Sequence, residues 1–180
     1  MAASETVEQK EFREYCKAWL QDNRPPPTVV PLPQAAYEVT NEDHKHYLVD
    51  WQAKCYEAGL IATDVAKAYG GHGHSGLQKI ASAEVRRAKV PYFINWIGLG
   101  MAAPTLLVHG TEEQKETYLP PIFSAQEIWC QGFSEPGAGS DLVSLQTSAV
   151  QDGDNWIVNG SKVWTSLGQF AKWMLLLART

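Results

Sequence analysis

The sequence predicts an α+β chain: an N-terminal all-α helical bundle over residues 1–127, followed by an incomplete antiparallel β domain over residues 128–180. Three observations carry that prediction. Apolar residues up to Pro121 recur at helical spacing between capping boxes and prolines. Past Ile128 the period becomes strand-like. Inside that second regime stands a turn, Ser134-Glu135-Pro136-Gly137-Ala138-Gly139-Ser140-Asp141, in which two glycines interrupt any regular element. A chain of 180 residues holds one ordinary core and part of another.

The helices follow in order. Thr6 with Gln9 three residues on is a capping box, and Phe12, Tyr15, Cys16 and Trp19 share one face of the helix it opens. Pro25-Pro26-Pro27, Pro31 and Pro33 stop that helix and impose an extended connector, because proline has no amide hydrogen to donate. A second helix starts near Thr40, presents Tyr47, Trp51 and Cys55 at i, i+4, i+8, and ends by Gly59. Leu77, Ile80, Ala81 and Val85 mark a third between Ser75 and Arg87. The apolar run from Tyr92 to Val108 is short for a membrane span and is broken by Asn95, Gly98, Gly100 and Pro104, so it reads as a buried helical pair at the centre of the bundle. Gly110 is its C-cap; Thr111 and Gln114 then form a capping box for a short helix that Pro120-Pro121 should halt.

Beyond Ile128, Leu145–Val150 and Trp156–Val158 are strand candidates around Asp152-Gly153-Asp154-Asn155. Asn159-Gly160 reads as a hairpin turn from which Lys162 to Ser166 returns, and Trp173 to Leu177 is a further strand. So few strands leave open edges, so the chain reads as truncated, with its sheet unfinished at Thr180.

Charge and composition exclude several functions. The formal net charge of −5 and the lack of a basic stripe argue against a nucleic-acid partner. Cys16, Cys55 and Cys130 are odd in number and widely spaced, as expected of reduced thiols in a cytosol-like compartment. The acidic N-terminus has neither an apolar signal core nor the arginines of a transit peptide, which makes a cytoplasmic location the expectation. His72-Gly73-His74 has no nearby cysteine or carboxylate to complete a metal site, and no metal is predicted. His44 and His46 sit on different helix faces and are read as surface residues. Cys130 has no evident His/Asn arrangement and is assigned no chemistry; Trp96 and Trp129 read as core.

The Ser134–Asp141 turn carries the functional signal. Glycine at 137 and 139 permits positive φ and close approach of a ligand, and the amides of such a turn can hold a phosphate or a ring carbonyl. Leu142 stands where a Rossmann fingerprint needs its third glycine, and no Gly-Lys-Ser/Thr follows for an NTPase loop. On composition alone an ordinary Gly-Pro surface turn fits equally well. The wider text decides: Gln131 to Leu142, followed by Asn159-Gly160-Ser161-Lys162-Val163-Trp164-Thr165-Ser166, resembles the two flavin-contacting segments of the acyl-CoA dehydrogenases. Tyr69-Gly70-Gly71, Pro104-Thr105-Leu106 and His109 to Lys115 resemble the helical domain of the same family.

The resemblance implies FAD as cofactor, contacted by Gln131, Gly132, Phe133, Ser134, Glu135, Pro136, Gly137, Ala138, Gly139 and Ser140, with the Ser134 hydroxyl on the isoalloxazine ring. Ser140 would also touch the CoA portion of an acyl-CoA substrate, while Trp164, Thr165 and Ser166 would cover the flavin. Gln131 replaces a frequent aromatic, and serine replaces threonine at 134 and 166, keeping the hydroxyl but losing a methyl group. The implied reaction is α,β-dehydrogenation of the thioester, its electrons passing to an electron-transferring flavoprotein, within a homo- or hetero-oligomer. The family's catalytic carboxylate comes from a C-terminal helical domain that this chain does not contain, so no catalytic residue is assigned. Glu135 either braces the turn or faces solvent. Two other readings remain: a non-catalytic subunit docking on a partner that supplies the missing half, and part of a related acyl-CoA oxidase.

Overall fold

The computed structural model describes residues 5–180; the first four residues of the N-terminal stretch discussed above lie outside that range. The chain forms two compact units, one through Gln126 and one from Glu127 to Thr180.

In the first unit, α1 (Val7–Asp22) opens on the anticipated box: Thr6 accepts from the Gln9 amide at 3.2 Å, and Gln9 accepts from the Thr6 amide at 3.0 Å. The proline connector is extended, and side chains tie it down. Tyr47 donates to the Pro26 carbonyl and Tyr92 to that of Pro33, while His44 Nε2 bonds the Val30 carbonyl at 3.0 Å. His44 is therefore buried, not on the surface, because its ring bridges the helix N-terminus to the connector; His46 is exposed. In α2 (Glu42–Glu57) the Asn41 side chain accepts from the His44 amide, and Leu48, Trp51 and Cys55 enter the core. α3 (Gln78–Ala88) buries Ile80, Ala81 and Glu84, the last paired with Arg13 and Arg87.

The apolar run does not make a helical pair. It forms a π-helical turn, Gly98–Ala102, that leads into α4 (Ala103–His109). Pro104 has no hydrogen to give the Gly100 carbonyl and its ring crowds that turn, so the helix widens rather than continuing in α register. One face is open, with Trp96 and Val108 exposed. α5 (Glu112–Phe123) starts at the Thr111/Gln114 box and runs through Pro120 and Pro121 instead of halting. Its last turn is held from outside: buried Gln52 donates to the carbonyls of Ile122 and Phe123, Asn95 donates to Ile122, and Ile122 and Phe123 are themselves buried. Tertiary anchoring overrides the proline signal. No helix among the described residues is long and apolar enough to cross a membrane.

In the second unit, β1 (Trp129–Gly132) pairs in parallel with β4 (Trp173–Leu176), and β2 (Ser148–Asp152) pairs antiparallel with β3 (Asn155–Asn159). Arg179 prolongs the β4 line onto β2, its amide donating to the Thr147 carbonyl and its carbonyl accepting from Ala149. The hairpin turns at Gly153-Asp154, with Gly153 at φ 62°. Asn159-Gly160 is not a turn, since Asn159 pairs with Ser148 and ends β3. Glycine is required at 160 for another reason, because a Cβ there would collide with Thr147. Lys162 to Ser166 forms no strand; it runs beside the 134 turn.

Candidate functional site

The site is built on the turn that follows β1. Glu135 and Ala138 exchange backbone hydrogen bonds of 2.9 and 3.1 Å, which closes a tight four-residue turn. The Glu135 side chain points inward, 7% exposed, and accepts from the amides of Gln146 and Thr147 at 2.7 and 2.8 Å and from Lys162 Nζ at 2.8 Å. Lys162 also donates to the Phe133 carbonyl. The Lys162 ammonium, then Thr147 and the Gln146 amide, pull the Glu135 carboxyl down to about 2 from 4.5. A carboxylate so engaged is a brace, because its lone pairs are spoken for and its basicity is low.

That brace joins the two sequence segments. The Val163 amide donates to the Ser134 carbonyl at 2.9 Å, so Trp164 stands next to the turn. A Cβ placed on Gly139 would have the Trp164 ring 3.7 Å away. Neither Gly137 nor Gly139 adopts the positive φ anticipated for it; the left-handed positions are Trp164 at φ 54° and Leu167 at φ 62°. A Cβ on Gly139 would make only ordinary van der Waals contact with that indole, so packing does not demand glycine there, and the backbone strain lies at Trp164. Left-handed backbone at a bulky residue is rare and concentrates at functional sites. Trp164 is 80% exposed, a large apolar ring held out to solvent.

The remaining residues fall around this core. Pro136, Gly137, Gly139 and Ser140 are exposed, Phe133, Ser134, Thr165 and Ser166 half-buried, Gly132 and Ala138 buried, and Gln131 half-buried in β1. Among the described residues no hydrogen bond engages Gly137, Gly139 or Ser140, all three of them exposed. A polar hollow of about 580 Å³ lies behind the turn, between Pro136, Ser144, Thr147, Ser148, Asn159 and Ser161. Exposed amides without a partner, hydroxyls at 134, 140 and 166, and an exposed indole match a flat, carbonyl-bearing ring system with an anionic tail. The residues present thus fit a flavin nucleotide. Sequence reasoning missed the bracing partners Gln146, Thr147 and Lys162. Lys162 stood inside the second motif, and its invisible pairing with Glu135 spans 27 positions.

The other candidates resolve structurally. His72 bonds the Tyr56 carbonyl at 2.8 Å and meets its ring edge-on, a packing role. All three cysteines are buried, and burial pushes Cys16 up to about 11, Cys55 up to about 12 and Cys130 upward, so each remains a thiol.

Comparison with known proteins agrees with this geometry. Residues 6–126 match the model of the acyl-CoA dehydrogenase N-terminal domain, and residues 130–180 that of the acyl-CoA dehydrogenase middle domain. The acyl-CoA dehydrogenase IpdE1 of Mycobacterium tuberculosis is 39% identical over 176 residues, covering 95% of this chain and 44% of that protein. Among solved structures, the ChsE4-ChsE5 complex from Mycobacterium tuberculosis has a TM-score of 0.73 at 33% identity, covering 100% of this chain and 44% of its own. The Tcur3481-Tcur3483 steroid ACAD has a TM-score of 0.73 at 32% identity, covering 100% of this chain and 45% of its own. The chain spans less than half the length of these relatives. On two ordered domain matches and a shared fold, the chain belongs to the acyl-CoA dehydrogenase family.

Proposed function

We propose that this chain supplies the N-terminal and middle-domain part of an FAD site at which an acyl-CoA thioester is dehydrogenated between Cα and Cβ. The observation that carries the reading is the Glu135–Lys162 brace with the Val163-to-Ser134 bond, which sets both motif segments around one turn. In this reading Ser134 and Ser166 hydrogen-bond the flavin ring, Gly137 to Ser140 offer amides to its polar portions, and Trp164 screens the ring from water. FAD held by these residues would supply the hydride-accepting chemistry. Ser140, exposed at the end of the turn, meets the CoA portion. Glu135 does not take the α proton: a base must present a free carboxylate of matched pKa to the substrate, and this one is buried and held near 2. The base and much of the CoA surface come from outside residues 5–180, and the electrons leave to an electron-transferring flavoprotein. Two tests bear on this. Reading the genomic DNA past Thr180 should show an in-frame continuation or a neighbouring gene for the other half. In the complete assembly Ser166→Ala should slow flavin reduction by acyl-CoA about fivefold, the worth of a hydrogen bond of ~1 kcal/mol. Unchanged reduction kinetics would remove Ser166 from the site.

A second reading is favoured by the likeness to the ChsE4-ChsE5 complex. Here this chain is one subunit of a hetero-oligomer and gains activity only with its partner. Dehydrogenation by a complex purified with a separately encoded partner would select this reading over a single continuous enzyme.

A further inference from the structure

Ser140 stands at the head of a stretch whose backbone is gripped from two sides. Leu142–Ser144 makes a single tight helical turn, in which the Ser144 amide donates to the Asp141 carbonyl and the Leu145 amide to that of Leu142, both at 3.2 Å. The Ser144 hydroxyl donates to the Asp141 carboxylate. On the donor side of the stretch, Glu135 takes the amides of Gln146 and Thr147 at 2.7 and 2.8 Å. On its acceptor side stands Arg179. Its Nε donates to the Leu145 carbonyl at 2.7 Å, its Nη2 to the Val143 carbonyl, and its amide to the Thr147 carbonyl at 2.8 Å. Ser140, exposed and free of hydrogen bonds among the described residues, is thus a ligand-facing group carried on an anchored segment.

The guanidinium grip is separable from the sheet. Strand pairing at this point uses only the Arg179 backbone, whose amide and carbonyl meet Thr147 and Ala149, and any residue but proline supplies those groups. Arg179 is exposed, so losing its side chain opens no core cavity. Its side-chain bonds go to the carbonyls of 143 and 145, 36 and 34 positions away in sequence. Arginine suits this task because its N–H groups form a rigid planar fork, so that one side chain holds two carbonyls at once. A lysine ammonium, a point charge on a flexible stem, does not reproduce that geometry.

We infer that Arg179 is a positioning residue: its fork fixes the 141–145 turn, and through it the direction in which Ser140 presents its hydroxyl and amide to the CoA end of the substrate. That the ligand there is CoA rests on the function proposed above. Arg179 touches neither substrate nor flavin in this arrangement. It removes in advance the disorder that binding would otherwise have to remove. Without the fork, Glu135 still anchors 146 and 147, but from Ser140 to Leu145 only the bonds within the turn remain. Ser134 and Ser166, assigned to the flavin ring, lie outside that stretch. Loss of the fork therefore weakens the hold on the CoA end and spares the chemistry at the thioester.

The test has a structural arm and a binding arm. In the chain, amide hydrogen exchange at Ser144 and Leu145 should quicken about tenfold in Arg179→Ala, while the amides of β2 and β4 keep their protection. Arg179→Lys should not restore the slow exchange, whereas guanidinium ion added to Arg179→Ala at a sub-denaturing concentration should. In the complete assembly with saturating FAD, Arg179→Ala should raise KM for an acyl-CoA about tenfold with kcat within about twofold of wild type. The N-acetylcysteamine thioester of the same acyl group lacks the nucleotide end, so its KM should not move, a split that general damage to the fold would not produce. Unchanged exchange in Arg179→Ala, full recovery with lysine, or equal KM changes for the two thioesters overturns the proposal. An assembly that dehydrogenates nothing would sink the dehydrogenase reading alone, since calorimetric titration with CoA itself still reads the Ser140 end. There, binding about tenfold weaker in Arg179→Ala supports the positioning role, and equal binding or none overturns it.

Discussion

At the scale of single residues, Glu135 is where fold and site coincide. Its depressed pKa means the folded unit gains stability from the ionised carboxylate above the unfolded value of 4.5, and loses it as the pH falls through about 2. Glu135→Gln should therefore lower the thermal midpoint by several degrees at neutral pH, leaving the Lys162 ammonium, 7% exposed, without its counter-charge. The gap between variant and wild type should close in acid, which a melting series from pH 7 to pH 2 would read; a gap that persists in acid would show that the charge is irrelevant. Gly160 tests the packing side of the same junction. Because a Cβ there runs into Thr147, Gly160→Ala should destabilise the unit by about 1–3 kcal/mol in denaturant unfolding. The sequence made the turn's residues legible but not its brace. A motif displays which residues are present, whereas the pairing of 135 with 162 depends on how two distant segments cross.

At the scale of elements, local signals suffice wherever the chain alone decides. Both capping boxes are formed, since their donors and acceptors lie three residues apart. Local signals mislead wherever tertiary contacts decide. Pro120-Pro121 should end a helix, yet α5 continues because Gln52 and Asn95 take up its final carbonyls. Asn159-Gly160 is a strong hairpin signal, yet Gly153 makes the turn and places Asn159 opposite Ser148. The same helix offers a check. Gly70 lies at φ 78°, and a Cβ on it would meet Pro120 Cγ at 2.9 Å and the Tyr56 hydroxyl at 3.0 Å. Gly70→Ala should thus combine left-handed strain with overpacking and cost about 2–4 kcal/mol in chemical unfolding of the helical unit. A cost below ~0.5 kcal/mol would mean that the α5 end yields freely, contrary to the anchoring described.

At the scale of the whole chain, the two units differ in how much apolar surface they keep. The helical unit buries Leu20, Leu48, Trp51, Ile94, Ile97 and Ile122 almost completely. In the second unit the β2–β3 ribbon is exposed on both sides. Val150 and Ile157 pair on one face at 60% and 51% exposure, while Trp156 and Val158 occupy the other at 53% and 47%. Apolar residues on both faces are the pattern of a strand pair covered on both sides, and an isolated two-stranded ribbon is marginal in water. The antiparallel hairpin was legible in the sequence, but what covers it was not, since alternation specifies a face and never its partner. As a free species, the 180-residue chain should therefore self-associate through this ribbon. Sedimentation velocity should show concentration-dependent oligomers, and the double variant Trp156→Ser with Ile157→Thr, altering one residue on each face, should move the population to monomer without loss of helical circular dichroism. A wild-type chain that sediments as a clean monomer at all concentrations would show that the ribbon's exposed residues are tolerated in water.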